Sequence, residues 1–589
     1  MRTTATDPLT AYARLWALQQ CLTCGLFKML ASAVGGQSDG LILSNVKLTL
    51  KVFSPPIQAM YVISVLWLLV APRASLLLLL HAAHMYLHIT RLPEIWNSEW
   101  WDGLIEVAVL LTGIAGLLLL PPTSDDAHFS RWLALRAAPA AQVCFIILYT
   151  LTALYKFTST FLDPARSCAP LFLMALFESV WPSSIADPPT ELLGFIVSIS
   201  PAATVFVEAL IPIVLYLSPW PFGFAIGVLF HFLIAVTPPP NNAGGFSVGV
   251  LTRYFFFAPE QCARAFDVRP PPSFAAASAA TMAFVVVLGS RRNGDWGCVV
   301  ATAMSILHLH AMLVSRGPHQ EGGDALAPGQ QTDSPRVTRA LSLVMVTTVG
   351  LTLAYGMGPV LGLQDMGATT MFANLHVYGR SNHVLGLPTG LLFPRSSQTT
   401  LEPRVSWAPS SVLAGGTVRV DYTTARHFND IHPHEITSLH APRLRRWLRA
   451  GGHSGRQFGA YVARVMHIKA PPAEHQGLLA HFVPYMIPFV EFRRLILEAT
   501  SSGGDAAGVE PFLVDYTRVD VQAATPLYRA RVKFDARGKG RCVKGGAGCE
   551  ADLRLLTTPL PGWAMRFLLF FSFPVEEGES TFRELSCTC

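Results

Sequence analysis

Nonpolar residues gather into long runs up to about residue 363 and into short alternating runs beyond it. The long runs fall near 57–71, 74–90, 102–121, 137–157, 192–217, 221–237, 274–290, 296–314 and 338–362. Crossing a hydrocarbon layer takes roughly 20 apolar residues of helix, or about 17 at the short end. Several runs are marginal or interrupted by Pro72, Pro212 or Pro219, and 246–258 has the length of a half-span, so the pattern predicts about eight spans. The first stretch, Leu9–Val34, is apolar and helical in pattern but carries Arg14 and Lys28 and lacks a small-residue cleavage site. It is therefore read as an interfacial or early helix rather than a removed signal.

Past the helical part, VRVDYTT (418–424), FGAYVARVMHI (458–468), PFLVDYTRVDVQ (511–522) and LYRARVKFDA (527–536) alternate β-branched and aromatic residues with polar ones. That period suits half-buried strands. Leu439–Ala450 and Pro488–Ala499 have the spacing of short amphipathic helices, and Trp563–Phe573 is a core strand or a membrane-resting segment. The expected fold is a polytopic α-helical membrane bundle followed by a mixed, β-rich extramembrane domain. Residues 1–56 form an N-terminal amphipathic or interfacial segment, 57–363 the transmembrane domain with a flexible polar loop at 317–335, and 364–589 the C-terminal domain on the lumenal or external side.

Composition agrees with a multi-pass membrane location: 51% of residues are hydrophobic and 14% charged over 589 residues. The endoplasmic reticulum is the candidate organelle, and membrane lipid an expected partner. The net charge of +6 is modest, although Arg443, Arg445, Arg446 and Arg449 cluster, as do Arg537, Lys539, Arg541 and Lys544. Each cluster is a surface for an acidic peptide or lipid headgroups, or simply a solvated face. Neither carries the aromatic interleaving or motif that would point to nucleic acid, which is not an expected partner. Cys542 and Cys549 bracket a Gly-rich turn, and Cys587 and Cys589 lie near the end, a grouping that suits an oxidising compartment. A bridge within CVKGGAGC and a pair of free thiols are both open readings. Cys21 and Cys24 form a C-x-x-C pair with no second pair at metal spacing, and no metal is expected.

Charged and polar side chains inside apolar runs are costly enough to suggest a task. Lys156 ends the run LYTLTALYKF, where an ammonium at bilayer depth costs about 2.5–3.5 kcal/mol on insertion scales. It can snorkel, pair with a carboxylate such as Glu106 or Glu208, or lose its proton and act as a base. Glu178 and Glu191 lie in the same part of the chain. His81, His84 and His88 share one helical face, which could relay protons or bind a metal, or only hydrogen-bond to neighbouring helices.

Four stretches in order carry a family resemblance: Arg91-Leu92-Pro93 through Trp96-Asn97-Ser98-Glu99-Trp100; Tyr155-Lys156-Phe157 followed by Phe161-Leu162-Asp163-Pro164 and Ser167-Cys168-Ala169; Leu229-Phe230-His231-Phe232 with Gly245-Phe246-Ser247; and Met371-Phe372-Ala373-Asn374-Leu375 running to Arg380-Ser381-Asn382-His383. Together they resemble the HTTM family, which includes the vitamin K-dependent gamma-glutamyl carboxylases. The resemblance implies quinol-dependent chemistry, with reduced vitamin K or another quinol as cofactor and a glutamate-containing protein as substrate. Lys156 would be the base that takes a proton from the quinol, with His231 and Glu99 as further catalytic residues and Trp96, Asn97, Tyr155 and Phe246 lining the cofactor site. Desolvation favours the neutral amine that such a base requires. Where the carboxylases carry a histidine in the tryptophan-asparagine loop, Ser98 and Glu99 stand here, so a quinol pocket follows from the resemblance more directly than carboxylation does. The alternative is a transporter or lipid- or quinone-binding membrane protein in which Lys156, Glu106 and Glu208 line a path. A third reading makes the C-terminal domain a docking module for a protein substrate.

Overall fold

A computed structural model describes residues 6–23, 54–92, 97–121, 126–164, 190–237, 243–291, 296–315, 334–363, 383–388, 416–424, 485–501, 511–520 and 525–561, with isolated positions between and beyond them. The loop 317–333, the expected strand 458–468, the expected helix 439–450 and the cluster from Arg443 to Arg449 lie outside the described residues, as do Glu178, Cys24, Cys587 and Cys589. The chain divides into two compact units. The first holds Met1–Arg91, Ser98–Thr150 and Val207–Ala354; the second holds Leu92–Asn97, Leu151–Phe206 and Tyr355–Cys589.

Each long apolar run is helical. In chain order the helices are α1 (Pro8–Thr23), α2 (Pro55–Val70), α3 (Ala74–Arg91), α4 (Asn97–Leu119), α5 (Asp126–Tyr155), α6 (Ser159–Leu162), α7 (Thr190–Leu217), α8 (Phe224–Ala235), α9 (Ala243–Tyr254), α10 (Pro259–Asp267), α11 (Pro272–Arg291), α12 (Trp296–Ser315), α13 (Pro335–Gly356) and α14 (Gly358–Leu361). Among the described residues α4, α5, α7, α12 and α13 are long and apolar enough to cross a membrane, five candidate spans, or six if α10 and α11, bent by 96°, count as one broken span. The runs at α2, α3 and α8 are helical and apolar but shorter. Pro72 falls in the break between α2 and α3, and Pro219 opens the turn before α8. Pro139 and Pro212, by contrast, are carried inside α5 and α7. Long apolar helices tolerate proline where neighbouring groups re-satisfy the freed carbonyl.

In the first unit α1 is an early helix packed against α2, α9 and α10. It buries Tyr12, Trp16 and Ala17 completely. Helix α9 packs between α8 and α12. Its Gly244 approaches Gly297 of α12 so closely that a Cβ would meet backbone at 3.0 Å. Glycine at both positions is what lets these helices touch.

The second unit contains an antiparallel sheet of β1 (Thr417–Thr423), β2 (Tyr485–Pro488), β3 (Phe512–Asp520), β4 (Thr525–Phe534), β5 (Gly540–Lys544) and β6 (Phe573–Pro574), in spatial order β5-β4-β3-β1-β2-β6. Three of the strands occupy the alternating runs read from the sequence, and the apolar run ending at Phe573 closes on β6. Helices α15 (Phe489–Ser501) and α16 (Gly546–Leu556) share one core with the sheet, in which Val418, Val420, Val514, Tyr516, Val532 and Phe534 meet Phe492, Leu495 and Ile496.

Cys542 of β5 and Cys549 of α16 form a disulfide, with Cα atoms 6.0 Å apart. Gly545 turns the chain between them at φ +119°, a conformation that L side chains rarely adopt. By contrast Cys21, Cys144, Cys262 and Cys298 of the helical unit are buried free thiols. Closing so short a loop stabilises the fold by about 2–3 kcal/mol in the chain-entropy account. Denaturant unfolding of the Cys542→Ser/Cys549→Ser protein should show that loss; an unchanged midpoint would mean that the covalent link adds nothing to the packing of α16.

Candidate functional site

Lys156 follows the last residue of α5, in a turn where its amide bonds the Ala153 carbonyl at 3.1 Å and its own carbonyl accepts from Thr158 N–H at 2.8 Å. The Thr158 side chain then caps α6 by accepting from Phe161 N–H at 3.0 Å. Lys156 is buried, and its Nζ stands 6.0 Å from the Phe161 ring centroid. Beside it Tyr155 is fully buried and donates to the Gly356 carbonyl at 2.5 Å. The turn is held by His383, whose Nε2 lies 2.8 Å from the Leu154 carbonyl, and by the Val384 amide, which donates to Phe157 at 2.7 Å. Thus the Leu154 carbonyl in the last turn of α5, which also accepts from the Phe157 amide at 3.1 Å, and the Phe157 carbonyl just beyond the helix are met by a segment more than two hundred residues further along.

His231 of α8 sits in the first unit, fully buried. Its Nε2 hydrogen-bonds the Tyr149 hydroxyl, which in turn accepts from Tyr254 at 3.3 Å. Phe246 lies 5.5 Å from the His231 ring and 5.6 Å from Trp101, and Trp101 stands edge-on to Tyr149 at 5.2 Å. Two buried polar atoms in this aromatic shell, His231 Nδ1 and Trp101 Nε1, have no hydrogen-bond partner, and neither has the buried Oγ of Ser247, the residue after Phe246. Buried polar atoms are rarely left so, and each such group costs on the order of 1–3 kcal/mol. Gly227 gives the Tyr254 hydroxyl its room, because a Cβ there would overlap it.

A second polar group in the same unit is built around Glu106. Its Oε1 accepts from Trp16 Nε1 at 2.7 Å and from Arg253 Nη2 at 2.8 Å, and its Oε2 lies 2.8 Å from His84 Nδ1. Arg253 also faces Asp102 at 3.3 Å and donates to Gln19 Oε1, while Gln19 donates to Asp102 at 2.5 Å. His81 stands 3.7 Å from Glu106 and stacks on Tyr12 at 5.9 Å, with neither ring nitrogen nor the Tyr12 hydroxyl hydrogen-bonded. Gly249 admits Asp102 to this face of α9, since a Cβ would meet its carboxylate at 2.9 Å. The carboxylate for the histidine face therefore comes from the neighbouring helix α4. Glu106 has Arg253 for its cation; Arg253 carries no sequence signal beyond being a lone charge after an apolar stretch.

A family model described as a domain of unknown function (DUF8388) matches residues 381–566. Comparisons with curated proteins and with solved structures find no match. The matched region holds the sheet strands β1 to β5, α15, α16 and the Cys542–Cys549 bridge.

Of the residues singled out from the sequence, His231 and Phe246 come together in the first unit, where Glu99 stands half-buried in the first turn of α4. Lys156 and Tyr155 belong to the second unit. Asn97 is the first residue of α4, and Trp96 lies outside the described residues. Glu208 of α7 is buried. Among the described residues no group of three or more His, Cys, Asp or Glu side chains could hold a metal ion.

Proposed function

We propose that the chain is an integral-membrane protein of about eight spans that binds a quinol, or another flat ring bearing a hydroxyl, around His231, and that it is an HTTM-like, vitamin K-dependent gamma-carboxylase-like enzyme with Lys156 as base. The observation that carries the reading is the pair of unpartnered polar atoms, His231 Nδ1 and Trp101 Nε1, inside an aromatic shell. A flat ring with oxygen substituents suits that lining, because it stacks on aromatic faces and offers both a donor and an acceptor. When bound, a reduced quinol supplies the reducing power from which a base stronger than any side chain is made. The chain's own residues would hold the ring through His231 and Trp101 and exclude water with Phe246, Tyr254 and Phe145, which packs on Tyr149 and Tyr254; the base of the reaction would be Lys156. The endoplasmic reticulum fits a protein whose disulfide lies in the C-terminal part and whose described helical thiols stay free.

The test is an assay of the full-length protein in lipid nanodiscs with reduced vitamin K, labelled bicarbonate and a glutamate-rich peptide, following epoxide and incorporated label. Lys156→Ala should lower both products by about a hundredfold or more, the weight of a general base, while His231→Phe should weaken quinol binding measured by quenching of tryptophan fluorescence. Epoxide without label would mean a quinol oxygenase with another coupled step. Neither product, together with no quenching, would sink the enzyme reading.

A second reading, a transporter or lipid-binding membrane protein, draws on the Glu106 group. Two carboxylates, a guanidinium and two histidines buried among apolar helices are what a proton or substrate path requires.

A further inference from the structure

The hairpin of β4 and β5 forms one edge of the sheet and is crowded with cations. Arg529, Lys533, Arg537, Lys539, Arg541 and Lys544 are all exposed, and none pairs with a carboxylate among the described residues. Two nearby acids, Asp515 and Asp535, are already engaged. Asp515 is held by Arg531 through two bonds of 2.6 and 2.5 Å, and Asp535 Oδ1 accepts from the amides of Arg537 and Lys539, both at 2.9 Å, within the turn. The register adds a cost, since Lys533 stands directly opposite Arg541, and Arg531 opposite Lys544. Like charges facing each other across a sheet are destabilising unless something anionic comes between them.

The geometry points to this hairpin as a docking edge for an acidic, extended polypeptide segment. Strand β5 is the last strand of the sheet, and among the described residues no strand pairs with its outer edge, where a further strand would add. An extended chain repeats its side chains on one face every second residue, so acidic side chains on a strand added to β5 fall beside Arg541 and Lys544, which share the face of Lys533. A polypeptide is favoured over a lipid surface by the Cys542–Cys549 bridge, which sits in the hairpin's own strand and puts it on the oxidising side. Anionic lipid concentrates on the cytoplasmic leaflet. The inference does not depend on the chemistry assigned to Lys156, and it holds equally for a substrate or for a regulatory partner.

The experiment uses the full-length protein in nanodiscs of neutral lipid, titrated against a fluorescent peptide of alternating glutamate and alanine, about a dozen residues long so that it can span the strand. Anisotropy should report binding that weakens as salt is raised. The variant Arg529→Gln/Lys533→Gln/Arg541→Gln/Lys544→Gln should lose affinity by about tenfold or more, the summed effect of several exposed ion pairs. Lys533→Arg/Lys544→Arg, which keeps the charge, should bind as the wild type does. Equal binding by the wild type and the fourfold glutamine variant, both shown folded by thermal melting, would overturn the proposal. So would the absence of peptide binding together with hairpin-dependent capture of phosphatidylserine vesicles, which would make the edge a lipid contact.

Discussion

Replacing Arg253 with methionine should destabilise the helical unit by about 3–5 kcal/mol, the usual cost of stranding a buried charge by removing its partner. The guanidinium is 1% exposed and serves two carboxylates, Asp102 and Glu106, from α9, while Gln19 and Trp16 tie the same carboxylates to α1. Without it two acidic groups remain in an apolar bundle, and among the described residues His84 and His81, which face Glu106, are left to offset them. Methionine fills similar volume, so the loss reads the charge and not a cavity. The matching variant Arg253→Met/Asp102→Asn/Glu106→Gln should recover most of the stability, because the neutral amides leave no charge to compensate. Thermal unfolding in detergent, followed by size-exclusion chromatography of the heated samples, separates the cases. If Arg253→Met alone melts with the wild type, the cluster is solvated in the protein and its charges do not hold the helices together.

Much of this architecture is visible in the chain before any coordinates. Runs of apolar residues place the helices because length and hydropathy are local properties, and alternation at 418–424, 511–522 and 527–536 places β1, β3 and β4 for the same reason. Lys156 stands out because one charge at the end of an apolar run is anomalous wherever the chain goes next. What local pattern cannot supply is partnership. Arg253 meets Glu106 across 147 residues, and His383 reaches the end of α5 across 229. Both pairings depend on which helix faces or loops adjoin. The three unpartnered atoms near Phe246 are likewise invisible in sequence, since a serine, a tryptophan and a histidine on different helices share no spacing. The bridge between Cys542 and Cys549 was legible as an option from the Gly-rich turn, and it took the placement of α16 against β5 to bring the sulfurs together.

In the sheet domain the largest single-residue effect is expected at Asp552. This side chain is buried on α16, where it accepts hydrogen bonds from the hydroxyls of Tyr516 at 2.9 Å and of Tyr528, and its Oδ2 lies 3.6 Å from Arg518 Nε. Arg518 in turn stacks on Phe489 of α15, so one carboxylate ties β3, β4 and both helices together. Asp552→Ala would leave the Tyr516 hydroxyl and the Arg518 guanidinium without this acceptor, while Tyr528 keeps the Gly548 carbonyl at 3.1 Å, a loss of about 3–5 kcal/mol. The pH dependence gives a second, independent reading. Burial raises the Asp552 pKa above its ordinary 3.8, outweighing the opposing pull of Arg518 and the two tyrosines. A carboxyl that binds its proton more tightly in the fold stabilises the fold fully below the unfolded pKa, and that contribution is lost as pH rises through the folded value. Acidification from neutrality toward pH 4 should therefore add a stabilising term from this residue, which Asp552→Asn removes. Denaturant midpoints of the wild type and Asp552→Asn across that range decide the matter: parallel curves would mean that Asp552 remains ionised throughout and is held by Arg518 more firmly than its burial disfavours it.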